Sequence, residues 1–145
     1  VLAMALRPPR AVIVDGSAFY RQIIGTCLRS LDWDYACMES GYELVEYFMR
    51  NGEAFDLAFI DLNLPLLSAL ETAKSIKLFV PDQRLVFLGH NPIEGLPEKS
   101  QFIKKPIDFP LLVRFLQGIT KSRLEGTWKN SENLPVQIAG AELAA

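Results

Sequence analysis

Histidine is nearly absent: His90 is the only one in 145 residues. Transition-metal sites draw on several imidazoles and thiolates, so a lone histidine argues against one, and His90 reads as a solvated loop residue. Cysteine is almost as scarce. Cys27 and Cys37 form neither a CxxC nor any metal-ligand spacing. Cys27 falls in an apolar helical stretch and Cys37 in a strand-like one, so both are expected to be reduced, buried thiols of a cytoplasmic protein. No apolar run approaches the roughly 20 residues that cross a bilayer, and no membrane partner is expected. Val1 to Leu6 is apolar but short, and Arg7 and Arg10 follow it instead of preceding it, the wrong order for a signal peptide. A basic block is also lacking. Fifteen Lys and Arg stand against 17 Asp and Glu, a net charge of −2, so nothing supports nucleic-acid binding by this domain. The first residue is not methionine, as in a piece of a longer protein.

What is present is a globular composition, half apolar and 22% charged, of a length that suits one domain. The chain is organised around Leu57-Ala58-Phe59-Ile60-Asp61, an apolar run that ends on an acid and is followed at once by Leu62-Asn63-Leu64-Pro65. Such a run, closed by a breaker, fits a strand buried on both faces. Ala11-Val12-Ile13-Val14-Asp15-Gly16-Ser17 repeats the pattern upstream. Phe102-Ile103 repeats it downstream, ending on Lys104-Lys105-Pro106. Tyr35–Met38 and Arg84–Leu88 are two further strands. Helical spacing of apolar residues runs through Phe19–Leu31, Tyr42–Arg50, Leu70–Phe79 and Phe109–Lys121, with Ser17 and Asp108 as expected N-caps. Strand and helix alternate five times, which predicts an α/β fold with a parallel sheet and helices on both faces. Asn91 to Ser100 carries two prolines and a glycine and leaves room for a single helical turn at most.

In an open sheet of this kind ligands gather at the carboxyl ends of the strands. Asp15, Asp61 and Lys105 would then share one pocket. Two carboxylates repel, and oxygen ligands without histidine or thiolate suit Mg²⁺. A lysine there supplies a fixed positive charge, worth roughly 4 kcal/mol to a partner at 4 Å in an effective dielectric near 20. The assembly is suited to accept a phosphoryl group on Asp61. On spacing alone the alternative stays open that both acids are caps or loop residues and Lys105 a surface lysine.

The order VIVD-G-S, FIDLNLP, LVFLG and FIKKP-ID resembles the receiver domain of two-component response regulators, over about residues 10–122. The resemblance implies a flavodoxin-like, doubly wound five-stranded sheet in the order 2-1-3-4-5. Residues 1–9 would be a lead-in and residues 123–145 a linker or tail, with a short helix at Gly140–Ala145. It makes Asp61 the phosphoacceptor and Lys105 the residue that pairs with the phosphoryl group. Asp15, Asp61 and the backbone carbonyl of Asn63 become the Mg²⁺ ligands, and Phe102 the aromatic switch position. The pattern also departs from the family. Gly16 stands where a second acid is usual, and Gly89 where a Ser or Thr hydroxyl is usual. Ser68-Ala69 replaces Asp-Gly, and the helix between the fourth and fifth strands is expected to be shortened or absent. Mg²⁺ binding is therefore expected to be weak or absent, and the module degenerate.

The resemblance implies a regulatory module that is not an enzyme. Its partners would be a histidine kinase or phosphotransfer protein, a downstream output domain or signalling partner, and in one arrangement a second copy of itself. An aspartyl-phosphate hydrolase is disfavoured, because Asn63 and Ser17 occupy the positions where such an enzyme needs an acid or base. A flavin binder has only Gly16-Ser17 to hold phosphate. Lys104 reads as solvated and Trp33 as packed at the end of the first helix. Trp128 would anchor the tail. Leu64 to Leu67 is expected to turn inward, with an exposed contact patch as the alternative, and Asn91–Gln101 is the expected place for a partner.

Overall fold

The computed structural model describes residues 7–126 and 137–138. Strands and helices alternate as β1 (Arg10–Val14), α1 (Ala18–Ser30), β2 (Asp34–Met38), α2 (Gly41–Arg50), β3 (Leu57–Asp61), α3 (Ala69–Phe79), β4 (Leu85–Gly89), β5 (Gln101–Lys104), α4 (Phe109–Leu124) and β6 (Gln137–Ile138). Each helix begins on a side-chain cap. Ser17, Ser40, Ser68 and Asp108 accept the backbone N–H of Tyr20, Glu43, Glu71 and Leu111, satisfying donors that the helix itself leaves orphaned.

All pairings are parallel, and the sheet order is β2-β1-β3-β4-β5-β6. The first five strands thus take the expected 2-1-3-4-5 order. Every residue of β3 and β4 is buried, because helices cover both faces. The period of two divides them between two cores. Ile13, Phe59, Leu88 and Ile103 pack with α1 and α4, while Val14, Ile60, Phe87 and Phe102 pack with α2 and α3. Trp33 joins the first core at the end of α1, and its indole N–H donates to Thr120 Oγ1 at 3.1 Å.

Residues 90–100 run as turns and bends with no helix, as the prolines dictate. Three expectations need correction. The sheet has a sixth strand, since Gln137 and Ile138 pair with Phe102 and Ile103 inside the stretch expected to be linker or tail. An uncovered β5 would show a row of unpaired backbone groups, and a returning segment satisfies part of it. A strand of two residues has no period to read. Second, α4 extends to Leu124, past the expected helix end at Lys121. Third, Cys37 is exposed because β2 lies at the open edge of the sheet, and Cys27 on α1 is only half-buried. The Gly140–Ala145 helix and Trp128 lie outside the described residues. Among the described residues no helix is long and apolar enough to cross a membrane.

Candidate functional site

Strand ends build the site. Asp61 is the last residue of β3 and Gly89 the last of β4, while Asp15 and Lys105 directly follow β1 and β5. A parallel sheet brings all four to one rim. Lys105 Nζ lies 2.9 Å from Asp15 Oδ2 and 3.3 Å from Asp61 Oδ1, so the ammonium sits between the two carboxylates. All three side chains are buried. Buried charges at such spacing interact through a low dielectric and are held by their mutual pairing.

Backbone and aromatic groups complete the arrangement. Asp15 Oδ1 accepts the Ser17 N–H at 2.8 Å, which ties the acid to the turn that starts α1. Lys105 Nζ lies 4.1 Å from the centre of the Tyr20 ring, a cation–π contact from the first turn of α1. The next residue, Arg21, donates from Nη1 to the Asp15 carbonyl at 2.6 Å, and its Nη2 stands 3.6 Å from Glu39 Oε1. Burial and the neighbouring Asp15 push the Asp61 carboxyl up from its ordinary range, against the opposing pull of Lys105 and the Asn63 backbone N–H.

These groups open onto a pocket of about 430 Å³ whose walls include Ser17, Tyr20, Asn63, His90, Asn91 and Ile93. Asn63 is exposed beside Asp61, and His90 is exposed beside Gly89. Phe102 takes no part in the lining. It is buried in the core shared with α2 and α3. Lys104 is exposed, as expected. The Leu64–Leu67 run splits: Leu64 packs on the core, while Leu66 turns to solvent at φ 67°.

The two glycines differ in their surroundings. A Cβ at Gly16 would meet nothing nearer than Pro65 Cδ, at 3.8 Å. A Cβ at Gly89 would stand 3.0 Å from Leu62 Cδ1 and 3.3 Å from Leu62 Cβ and Cγ. Leu62 thus packs where a side chain at position 89 would begin. For a cation the rim offers two carboxylates, both already in contact with Lys105, and no three Asp, Glu, His or Cys groups come together at a metal-binding distance among the described residues.

Sequence reasoning brought Asp15, Asp61 and Lys105 together correctly but missed Tyr20, Arg21 and Leu62. A signal was available for the first two. A helix capped by Ser17 places its first-turn side chains, at positions 20 and 21, over the strand end that precedes it. Leu62 carried no such signal, since its contact with Gly89 joins two strand ends far apart in the chain.

No protein-family model matches the chain. In sequence it is similar to hybrid signal transduction histidine kinase E of Dictyostelium discoideum, 32% identical over 68 residues. It is likewise similar to the osmolarity two-component system protein SSK1 of Saccharomyces cerevisiae, 35% identical over 68 residues. Each match covers 47% of this chain, but only 4% and 9% of those much longer proteins. In structure it is similar to the receiver domain of sensor histidine kinase PA1611 from Pseudomonas aeruginosa PAO1, solved with a magnesium ion coordinated in its active site cleft. The TM-score is 0.68 at 20% identity, over 80% of this chain and 100% of that one. Chemotaxis protein CheY4 of Vibrio cholerae superposes with a TM-score of 0.65 at 20% identity, over 77% of this chain and 98% of that one. Strand order, the charges gathered at one rim and these likenesses together give this chain the fold of response-regulator receiver domains, the family that its strand-end motifs resemble.

Proposed function

We propose that the chain is the receiver module of a two-component or phosphorelay protein and works as a regulatory protein-interaction unit without depending on phosphorylation. The observation that carries this reading is the Lys105 ammonium between two buried carboxylates, with glycines at positions 16 and 89. Mg²⁺ is a hard ion that wants near-octahedral oxygen ligands. Two carboxylates that share one lysine, without a third acid at Gly16, do not fit a tightly held Mg²⁺. An incoming phosphoryl group would bring further negative charge to a rim whose cations are Lys105 and the carbonyl-bound Arg21. At position 89 there is no hydroxyl to follow that group, and Leu62 occupies the adjoining space. The partners on this reading are a histidine kinase or phosphotransfer protein upstream and an output domain, a signalling protein or a second copy downstream, all in the cytoplasm. The module is not an enzyme: Asn63 and Ser17 offer no acid or base of suitable pKa for hydrolysis.

A second reading keeps Asp61 as a working phosphoacceptor for a histidine kinase. It is favoured by the Asp15–Lys105–Asp61 geometry, which holds both the nucleophile and the cation in place. Intact-mass measurement after incubation with acetyl phosphate and Mg²⁺ separates the two. The wild type should gain no more mass than Asp61→Asn, and beryllofluoride with Mg²⁺ should leave the oligomeric state unchanged. A gain of one phosphoryl group that Asp61→Asn abolishes would establish the second reading.

A further inference from the structure

Resting on the interaction-module reading above, we propose that the Asp61 pocket is a docking site for a basic side chain, an arginine flanked by apolar residues, presented by a partner protein. Charge is the first argument. Of the charged side chains here, Asp61 and Lys105 line the pocket, Asp15 lies behind them on Lys105, and Arg21 pairs separately with Glu39. Two carboxylates face one ammonium in the Asp15–Lys105–Asp61 cluster, so it carries one uncompensated negative charge. Arg21 is committed to the Asp15 carbonyl and Glu39, and Lys105 reaches Asp61 through one oxygen, Oδ1. A cation entering the pocket completes the balance, whereas an anion worsens it.

The second argument is the rim around the charge. Phe19 is 61% exposed, Leu66 85% and Ile93 44%. Of these Ile93 lines the pocket itself, while Phe19 and Leu66 stand outside its lining. Phe19 stacks edge-on against Tyr20, which lines the pocket. Leu66 follows Pro65, the nearest neighbour of the open space at Gly16. A bare metal ion or a free small cation would leave Ile93 and the neighbouring Phe19 in water, while a protein segment carrying apolar residues on either side of a cation covers them. Arginine suits the place better than lysine. Its planar fork binds a carboxylate through two N–H groups and is less strongly hydrated than an ammonium. The pocket volume of about 430 Å³ is in the range that accommodates a whole side chain.

The test is an amide-shift NMR titration of the full chain with acetyl-Leu-Arg-Leu-amide and, in parallel, with the same peptide carrying citrulline for arginine. Citrulline keeps the shape and removes the charge. The arginine peptide should shift the amides of Asn63, Gly89, His90 and Ile93. It should bind about tenfold tighter than the citrulline peptide, the ratio that roughly 1.4 kcal/mol gives. Asp61→Asn should bring the two peptides to equal affinity. Ile93→Ser, on an exposed side chain that leaves the core intact, should weaken both peptides. Equal binding of both peptides to the wild type, shifts centred elsewhere, or no shifts at millimolar peptide would each overturn the proposal. The parent reading fails separately. Arginine-specific shifts together with phosphate uptake at Asp61 would keep this docking site and discard the phosphorylation-independent reading. Absent shifts with a non-accepting Asp61 would do the reverse.

Discussion

The two rims of the sheet handle buried polarity in opposite ways. At the amino-terminal rim most buried polar groups are answered, with Gln101 Oε1 at the start of β5 an exception. Gln83, 1% exposed, accepts the Phe55 N–H at 2.8 Å and donates to the carbonyls of Phe55 and Arg84 at 3.0 and 2.9 Å, clasping the entries to β3 and β4. Asp56 accepts the Arg10 N–H at 2.8 Å and meets Arg123 Nε at 3.4 Å. Lys77 Nζ donates to the Gln83 carbonyl at 2.8 Å. At the carboxyl-terminal rim two carboxylates share one ammonium, and burial pushes one of them toward its neutral form. The first rim closes the fold. The second holds paired charge beside an open pocket.

Four substitutions break or sharpen that contrast. Lys105→Met should have the largest effect, because it leaves Asp15 and Asp61 buried and facing each other without a counter-charge. A loss of about 3–5 kcal/mol is expected in urea unfolding at neutral pH. Gln83→Leu should cost about 2 kcal/mol at the opposite rim, since the backbone groups of Phe55 lose their partner away from water. Both losses would be read from the unfolding midpoint at unchanged slope.

Asp61→Asn should change stability in the opposite direction. An acid whose native pKa is raised adds stability only while protonated. The gain is full below the unfolded value and is lost as pH rises through the native one. At neutral pH the ionised Asp61 therefore costs stability, and Lys105 keeps Asp15 as partner when Asp61 is replaced. The midpoint of thermal unfolding should rise by about 3 °C, as roughly 1 kcal/mol gives at this size. The difference should close as pH falls below the ordinary carboxylate range, and calorimetry at two pH values reads both. Gly16→Asp should have the smallest effect on stability, within about 0.5 kcal/mol, because its Cβ enters open space. By isothermal titration it should tighten Mg²⁺ binding about tenfold, which separates a missing ligand from a misshapen site. No gain would place the weakness in Lys105's hold on both carboxylates.

How far the sequence could be read depends on the range over which each signal acts. Apolar runs that stop on a charged residue marked β1, β3 and β5, and Ser17 and Asp108 announced the starts of their helices. These signals are local, so they survive without coordinates. Cys37 looked buried because its neighbours read as a strand, but periodicity does not reveal whether a strand is central or at an edge. Gln137–Ile138 was invisible because so short a strand has no pattern. The closeness of Leu62 to Gly89 depends on how β3 and β4 align, with Asp61 opposite Leu88.

By itself, then, the order of residues determined the alternation of strands and helices, the absence of a helix between β4 and β5, and which strand ends carry charge. Propensity, capping and hydrophobic period act within a few residues of one another. Only the tertiary structure decided that Lys105 stands between Asp15 and Asp61, that Tyr20 and Arg21 brace them, that Leu62 closes the space at Gly89 while Gly16 stays open, and that the sheet gains a sixth strand. Those outcomes depend on distances between segments many residues apart, set by strand order and packing density and by no single stretch of chain.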